Sequence, residues 1–162
     1  TPEEVKDIIR QEIDSYKLDI KAREALWEYG LDYNHGTGHG VGFVNTVHEM
    51  PTSIRNKINK DVYRNLEFEP GMIMSDEPGV YISGKHGIRM EILMNVVEKQ
   101  EGFLGFESLT KAPIDSEPLL VEVMTKKDIE FYNKYQREVY EAISYGLNEE
   151  EKAWLKELTK EI

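Results

Sequence analysis

The string His35-Gly-Thr-Gly-His39-Gly-Val-Gly42 puts a glycine at every second position from 36 to 42. Glycines in series are costly in backbone entropy, about 0.5–1 kcal/mol each relative to alanine in regular structure. They are retained where another group must approach the backbone closely or where dihedrals closed to other residues are needed. Something therefore sits against this backbone. A phosphate loop is one candidate, but the string is neither G-x-G-x-x-G nor the Walker pattern with its lysine, and no strong buried strand precedes it. Nucleotide binding is set aside on those grounds.

The glycine string belongs to a distinct middle region. Ten of the twelve glycines and all four histidines lie between Leu31 and Leu109, which marks a stretch of strands and loops. Met72 to Asp76 and Gly87 to Glu98 read as strands. On the N-terminal side, Thr1-Pro-Glu-Glu4 reads as a capped helix start, with Val5, Ile8, Ile9 and Ile13 at helical spacing. A second helix fits Asp19 to Tyr29, with Ala22, Ala25, Leu26 and Tyr29 on one face and Gly30 as its stop. After Pro113 and Pro118 the helical pattern returns. Thr125 is placed to cap a helix lined by Ile129, Tyr132, Val139 and Ile143, and Asn148 with Glu151 makes a capping box ahead of Trp154, Leu155, Leu158 and Ile162. No repeat, low-complexity tract or flexible linker divides the chain.

Composition narrows the chemistry. The 162 residues suffice for one domain with a sizeable core. Thirty-one acidic residues against twenty basic ones give a net charge of -11, a field that repels phosphate backbones and anionic membrane surfaces. Nucleic acid and membrane are therefore not expected partners. No cysteine is present, so disulfides, thiolate metal sites and cysteine nucleophiles are excluded together. Any metal must use oxygen and imidazole ligands. No apolar run approaches the roughly twenty residues of a membrane span and no signal-like N-terminus occurs, so a cytosolic location is the default expectation.

His39 and His48 lie nine residues apart, and two carboxylates stand where packing alone would not put them. Glu77 ends the apolar strand Met72-Ile-Met-Ser-Asp-Glu and precedes Pro78-Gly79, a place where an exposed acid is also ordinary. Glu91 lies in Ile88-Arg-Met-Glu-Ile-Leu-Met-Asn-Val-Val97, a run that reads as too apolar to have a fully solvated face. An unpaired carboxylate buried there would cost several kcal/mol or take up a proton. Either Arg89, two residues away on the same strand face, or a metal ion could relieve that cost, and the strand itself does not choose between them. One imidazole with several carboxylates suits manganese, cobalt, iron or zinc. Two such ions sharing a water would equip a hydrolytic site.

The strings HGTGHGVG, NTVHEMP, SDEPGVYISGKHGIRME and FESLTKAPID occur in the order and spacing of the pita-bread metallopeptidases, which include aminopeptidase P, prolidase and methionine aminopeptidase. From about Leu18 onward the chain resembles that family, and its last two strings most resemble the long form of aminopeptidase P. The resemblance implies an α+β fold, the C-terminal half of a pita-bread, with helices on one face of a curved, mostly antiparallel sheet. Residues 1–112 would be the second half of the catalytic domain and 113–162 a helical extension of it. It implies His39, Glu77 and Glu91 as metal ligands, with Glu91 bridging and Glu77 also accepting a proton from the attacking water. His48 would bind substrate beside the scissile bond, His35 would support the pocket wall, and Arg89 and Tyr81 would buttress the site by hydrogen bonds. His86 matches no functional position and reads as a surface turn residue.

By the same resemblance, the cofactors are two divalent ions, manganese first and cobalt or zinc as alternatives. The substrates are peptides with proline in the second position, and the assembly is a homo-oligomer, a dimer. Prolidase and a non-catalytic peptide- or protein-binding module are the rival readings. In the family two further ligands are aspartates, and Asp7, Asp14, Asp19 and Asp32 do not lie in their surroundings. Asp19 instead falls in a Leu-Asp-x-x-Ala-Arg stretch, where an i,i+4 pair with Arg23 is the simple explanation. The expectation is that the isolated chain binds at most one ion, loosely, and has little or no peptidase activity.

Overall fold

The structure is a computed structural model that describes residues 8–10, 15–56 and 67–162. The chain divides into two compact units, Thr1–Thr110 and Lys111–Ile162. In the first unit the elements are β1 (Ile8–Arg10), α1 (Ser15–Trp27), β2 (Gly38–Gly40), β3 (Glu49–Ile54), β4 (Ile73–Asp76), β5 (Gly79–Ile82), β6 (His86–Arg89), β7 (Ile92–Gln100) and β8 (Phe103–Ser108). Six strands form one sheet in the order β1-β8-β7-β4-β2-β3, and β5 and β6 form a separate two-stranded sheet. Among the described residues every strand pair is antiparallel, in line with the mostly antiparallel sheet that the resemblance implies.

The core of this unit draws mostly on strand positions, alternate ones in β7, with Phe68 added from the segment before β4. Ile54, Phe68, Met74, Met94, Val96 and Leu104 are buried together, with Leu18 of α1, Met72 and Phe106 packed against them. The glycine string owes its composition to the sheet. A Cβ on Gly38 would lie 2.0 Å from the Ser75 carbonyl oxygen, and one on Gly40 would lie 2.3 Å from that of Glu49. What presses on β2 is the backbone of its two neighbours. Among these four glycines close approach is thus the governing demand, since none is among the residues with positive φ.

Three expectations about elements need correction. Ile8–Arg10 is a strand paired with β8, not part of a helix. Residues 1–7 and 11–14 of that expected helix lie outside the described residues. Ile8 and Ile9 are β-branched, so pairing with a sheet edge is open to them at little conformational cost. The second helix runs Ser15–Trp27, and its inward face is Leu18, Asp19, Ala22, Arg23 and Leu26, with Ala25 exposed and Tyr29 78% exposed. A buried ion pair on that face defeats a reading based on apolar spacing. The single strand expected over Gly87 to Glu98 is two strands, β6 and β7, interrupted at Met90 and Glu91.

The second unit contains α2 (Lys126–Ile143) and α3 (Glu149–Leu158). Both expected caps are present. Thr125 and Asp128 form a reciprocal capping box at α2, and Asn148 and Glu151 form one at α3, each satisfying backbone N–H groups that the first turn leaves open. Tyr132, Tyr135, Gln136 and Val139 are the buried face of α2. Gln136 accepts from the Ile114 N–H at 3.1 Å and donates to the Ile114 carbonyl at 2.8 Å, which ties the segment before α2 to the helix.

Candidate metal centre

Sheet register brings the three expected ligands together. In β4 and β7, Asp76 pairs with Ile92, so one further step off that end sets Glu77 opposite Glu91. On the other side of β4, Gly40 pairs with Met74, which sets His39 beside Ser75 and Thr37 beside Glu77. Ligand atoms of His39, Glu77 and Glu91 all lie within 4.8 Å of one another, the one such group among the described residues. The pairing of β2 with β3 jumps between His39 and Gly40, from Ser53 to Glu49, an irregularity of the kind that re-aims a side chain at the edge of a site.

Glu77 is held from several directions. Its backbone N–H donates to the Thr37 carbonyl at 2.7 Å, and the Ser75 hydroxyl donates to its Oε1 at 3.0 Å. The same hydroxyl accepts from the His39 backbone N–H at 3.0 Å. Ser75, fully buried, thus links two of the three groups. Next to them, burial and then the Glu77 charge push the Asp76 carboxyl up to about 6.

This donor set fits a divalent cation. The His39 ring meets the Gly40 carbonyl with Nδ1 at 2.9 Å, so Nδ1 carries the hydrogen that donates there. Its Nε2 then faces Glu77 Oε1 at 3.1 Å, with the two side chains 14% and 12% exposed. That contact is favourable when positive charge, a proton or a metal ion, sits at Nε2. Fixing the tautomer through a backbone carbonyl is how proteins commonly orient a metal-binding imidazole.

The remaining expected residues surround this group unequally. The Arg89 Nε donates to the Tyr81 hydroxyl at 2.9 Å, and that hydroxyl is 2.9 Å from His35 Nε2. His35 Nδ1 lies 2.7 Å from the Gly36 carbonyl, so the ring donates through Nδ1 and accepts the Tyr81 hydrogen at Nε2. The bond to Tyr81 is the leading cause that raises the Arg89 pKa, with the Glu77 charge ahead of that of Glu91. Arg89 Nε is 3.8 Å from Glu77 Oε2. His48 is exposed and its ring centre lies 4.1 Å from that of His39. His86 is exposed but opens β6 instead of sitting in the turn.

Glu91 is a correction. It is exposed, at the break between β6 and β7, and not embedded in an apolar strand face. The break turns it out of the run that made it look buried.

A network behind the site is larger than the helix pair read from the sequence. Arg23 and Asp19 are both fully buried. Arg23 donates from Nε to Asp19 Oδ2 at 2.6 Å and from Nη2 to Asp19 Oδ1 at 3.3 Å. It also donates to Asp32 Oδ1 at 2.7 Å and to the carbonyls of Tyr33 and His35 at 2.6 and 2.7 Å. Its guanidinium lies 3.8 Å from the centre of the Tyr33 ring. Burial opposes the Arg23 charge, but the bonds to Asp19 and Asp32 outweigh it and raise its pKa. Thr37 donates to Asp19 Oδ1 at 2.6 Å and meets the Tyr33 hydroxyl. Ser75, Thr37, Tyr33 and Asp32 were not among the expected site residues. The one sequence signal for them is a polar residue, Ser75, that directly follows the apolar Ile73 and Met74 in a strand.

One imidazole and two carboxylates are thus gathered at the end of an antiparallel sheet, and the chain belongs to metallopeptidase family M24. The model of that family matches residues 3–98, and that of the C-terminal region of peptidase M24 matches residues 102–162. A probable Xaa-Pro aminopeptidase P of Coprinopsis cinerea is 39% identical over 156 residues, which cover 91% of this chain and 25% of the relative. The crystal structure of an X-prolyl aminopeptidase from Caenorhabditis elegans, described as a cytosolic enzyme with a di-nuclear active site, superposes with a TM-score of 0.85 at 33% identity, over 96% of this chain and 26% of that one. A prolidase from Pyrococcus furiosus superposes at 0.52 and 32% identity over 65% of this chain and 28% of that one. The chain thus spans about a quarter of the length of the relatives it matches, and its fold is the expected pita-bread type. Among the described residues, no helix is long and apolar enough to cross a membrane.

Proposed function

We propose that the protein acts as a metallo-aminopeptidase that hydrolyses the N-terminal Xaa-Pro bond of peptides, with residues 1–112 forming the second half of its catalytic domain and 113–162 a helical extension. His39, Glu77 and Glu91 would be ligands to a pair of divalent ions, manganese first and cobalt or zinc as alternatives. The observation that carries this reading is the gathering of their ligand atoms within 4.8 Å. When bound, such ions acidify a water and polarise the scissile carbonyl.

The chain's own residues do the rest. Glu77 accepts the proton released as water attacks, with Oε2 on its Arg89 side and Oε1 held by Ser75. His48, exposed beside His39, donates a hydrogen bond to the substrate residue next to the scissile bond. His35, fixed at both ring nitrogens, forms a pocket wall that cannot turn freely. Arg89 adds positive charge toward the substrate side and steadies Tyr81. The proposed assembly is a homodimer.

Relatives and a structure that match nine-tenths or more of the chain carry the names of Xaa-Pro aminopeptidases, which favours that reading over a prolidase. Hydrolysis by the complete, manganese-loaded gene product separates the readings. Release of the first residue from Xaa-Pro-Xaa tripeptides, with Xaa-Pro dipeptides poor substrates, is the expected result. Preference for dipeptides would identify a prolidase. Metal binding without cleavage of either would mark a non-catalytic peptide-binding relative.

A further inference from the structure

The buried Asp19–Arg23 pair does more than stabilise α1, because two of the Arg23 donors and the Asp19 carboxylate reach the segment that leads into the metal centre. Arg23 has five N–H donors, and its bonds to Asp19, Asp32, Tyr33 and His35 engage all of them. Two of these partners are backbone carbonyls of the segment that runs into β2. An ion pair buried this completely is not favoured for stability alone, since well-packed apolar residues of similar volume often do as well or better.

Thr37 carries the connection onward. Its hydroxyl donates to Asp19 Oδ1 and its carbonyl accepts the backbone N–H of Glu77, so one residue touches the ion pair by its side chain and a ligand residue by its backbone. Two residues later the chain reaches His39, whose backbone N–H is tied through the Ser75 hydroxyl to the Glu77 carboxylate. The path from α1 to the two ligands therefore runs through hydrogen bonds of 2.6 to 3.0 Å.

We propose that Thr37, held by the Asp19 carboxylate that Arg23 fixes, is a positioning residue that sets the spacing between His39 and Glu77 and so the affinity and geometry of the metal centre. This rests on the reading of His39, Glu77 and Glu91 as ligands. It differs from a purely structural role in what it changes. Loss of the hydroxyl alters the coordination of a bound ion in a protein that stays folded.

Cobalt(II) is the probe, added to the complete gene product and followed by its visible d–d absorption, with folding checked by near-ultraviolet circular dichroism. The wild type is expected to bind with defined bands. Thr37→Val is expected to weaken binding about 10-fold or more, the lower end for losing a supporting partner of a ligand, and to shift the bands. Thr37→Ser, which keeps the hydroxyl, restores both, and Lys21→Ala on the exposed side of α1 changes neither. A folded Thr37→Val with wild-type affinity and bands overturns the proposal. Should Thr37→Val not fold, Arg23→Lys decides on the same readout, and loss of folding in both assigns the network to stability alone, which also overturns it. Absence of cobalt binding by the wild type would instead overturn the ligand reading itself, and this inference with it.

Discussion

Two arginines approach His35 from opposite environments. Arg23 is fully buried and donates to the His35 carbonyl, while the Arg89 side chain is 43% exposed and reaches the His35 ring through Tyr81. The first is locked by five bonds to the carboxylates of Asp19 and Asp32 and the carbonyls of Tyr33 and His35. The second has water as an alternative partner, and its charge is screened. The contrast separates holding a site in place from taking part in it. A buried guanidinium with every donor filled can fix a backbone, whereas an accessible one beside Glu77 can answer to a substrate.

The comparison breaks most readily at Arg23. Arg23→Met leaves the Asp19 carboxylate buried without its partner, and urea unfolding is expected to show a loss of about 3–5 kcal/mol, the usual cost of breaking a buried pair. A loss under about 1 kcal/mol would place Arg23 in the same class as a surface pair. Arg89→Ala is expected to do the reverse. Tripeptide hydrolysis should fall about 10- to 100-fold, the range for removing a supporting group of a metal site, with the urea midpoint unchanged.

A smaller effect is expected for Tyr81→Phe, which removes the hydroxyl between Arg89 and His35 but leaves Arg89 beside Glu77. Its rate should lie between wild type and Arg89→Ala, and a rate below that of Arg89→Ala would give Tyr81 a role beyond relaying that bond. Smallest is Asp32→Asn. Burial would raise the Asp32 pKa, but the bonds from Arg23 and from the Tyr33 N–H prevail and lower it. A depressed carboxyl contributes stability above its unfolded pKa and loses it as pH falls through the folded value. The stability gap between wild type and Asp32→Asn should therefore close as pH drops below about 3.9, measured by urea unfolding at each pH. A gap that widens toward acid would contradict the sign.

What could be read from the sequence was chemistry tied to local strings. Gly-His-Gly, Glu-Pro-Gly and Arg-x-Glu named three residues that the fold gathers, and the caps at Thr125 and Asn148 needed only neighbours in sequence. Pairings between distant segments were not legible. Nothing local tells that Thr37 meets Glu77 or that His39 meets Ser75, because both follow from the register of β2 on β4. Glu91 looked buried because β6 and β7 read as one strand, and the break between them is set by the hairpin pairing of β5 with β6. Asp19 and Arg23 sit at the spacing of a surface helix pair. Only the loop folded over them makes the same two residues a buried clamp.

The central claim is that His39, Glu77 and Glu91 hold a divalent ion. A crystal of the complete gene product grown with manganese, with data collected for the anomalous signal of that metal, tests it directly. The expected map has an anomalous peak within bonding distance of His39 Nε2 and of the Glu77 and Glu91 carboxylates. A manganese-loaded, active protein whose anomalous peaks all lie away from these three side chains would contradict it.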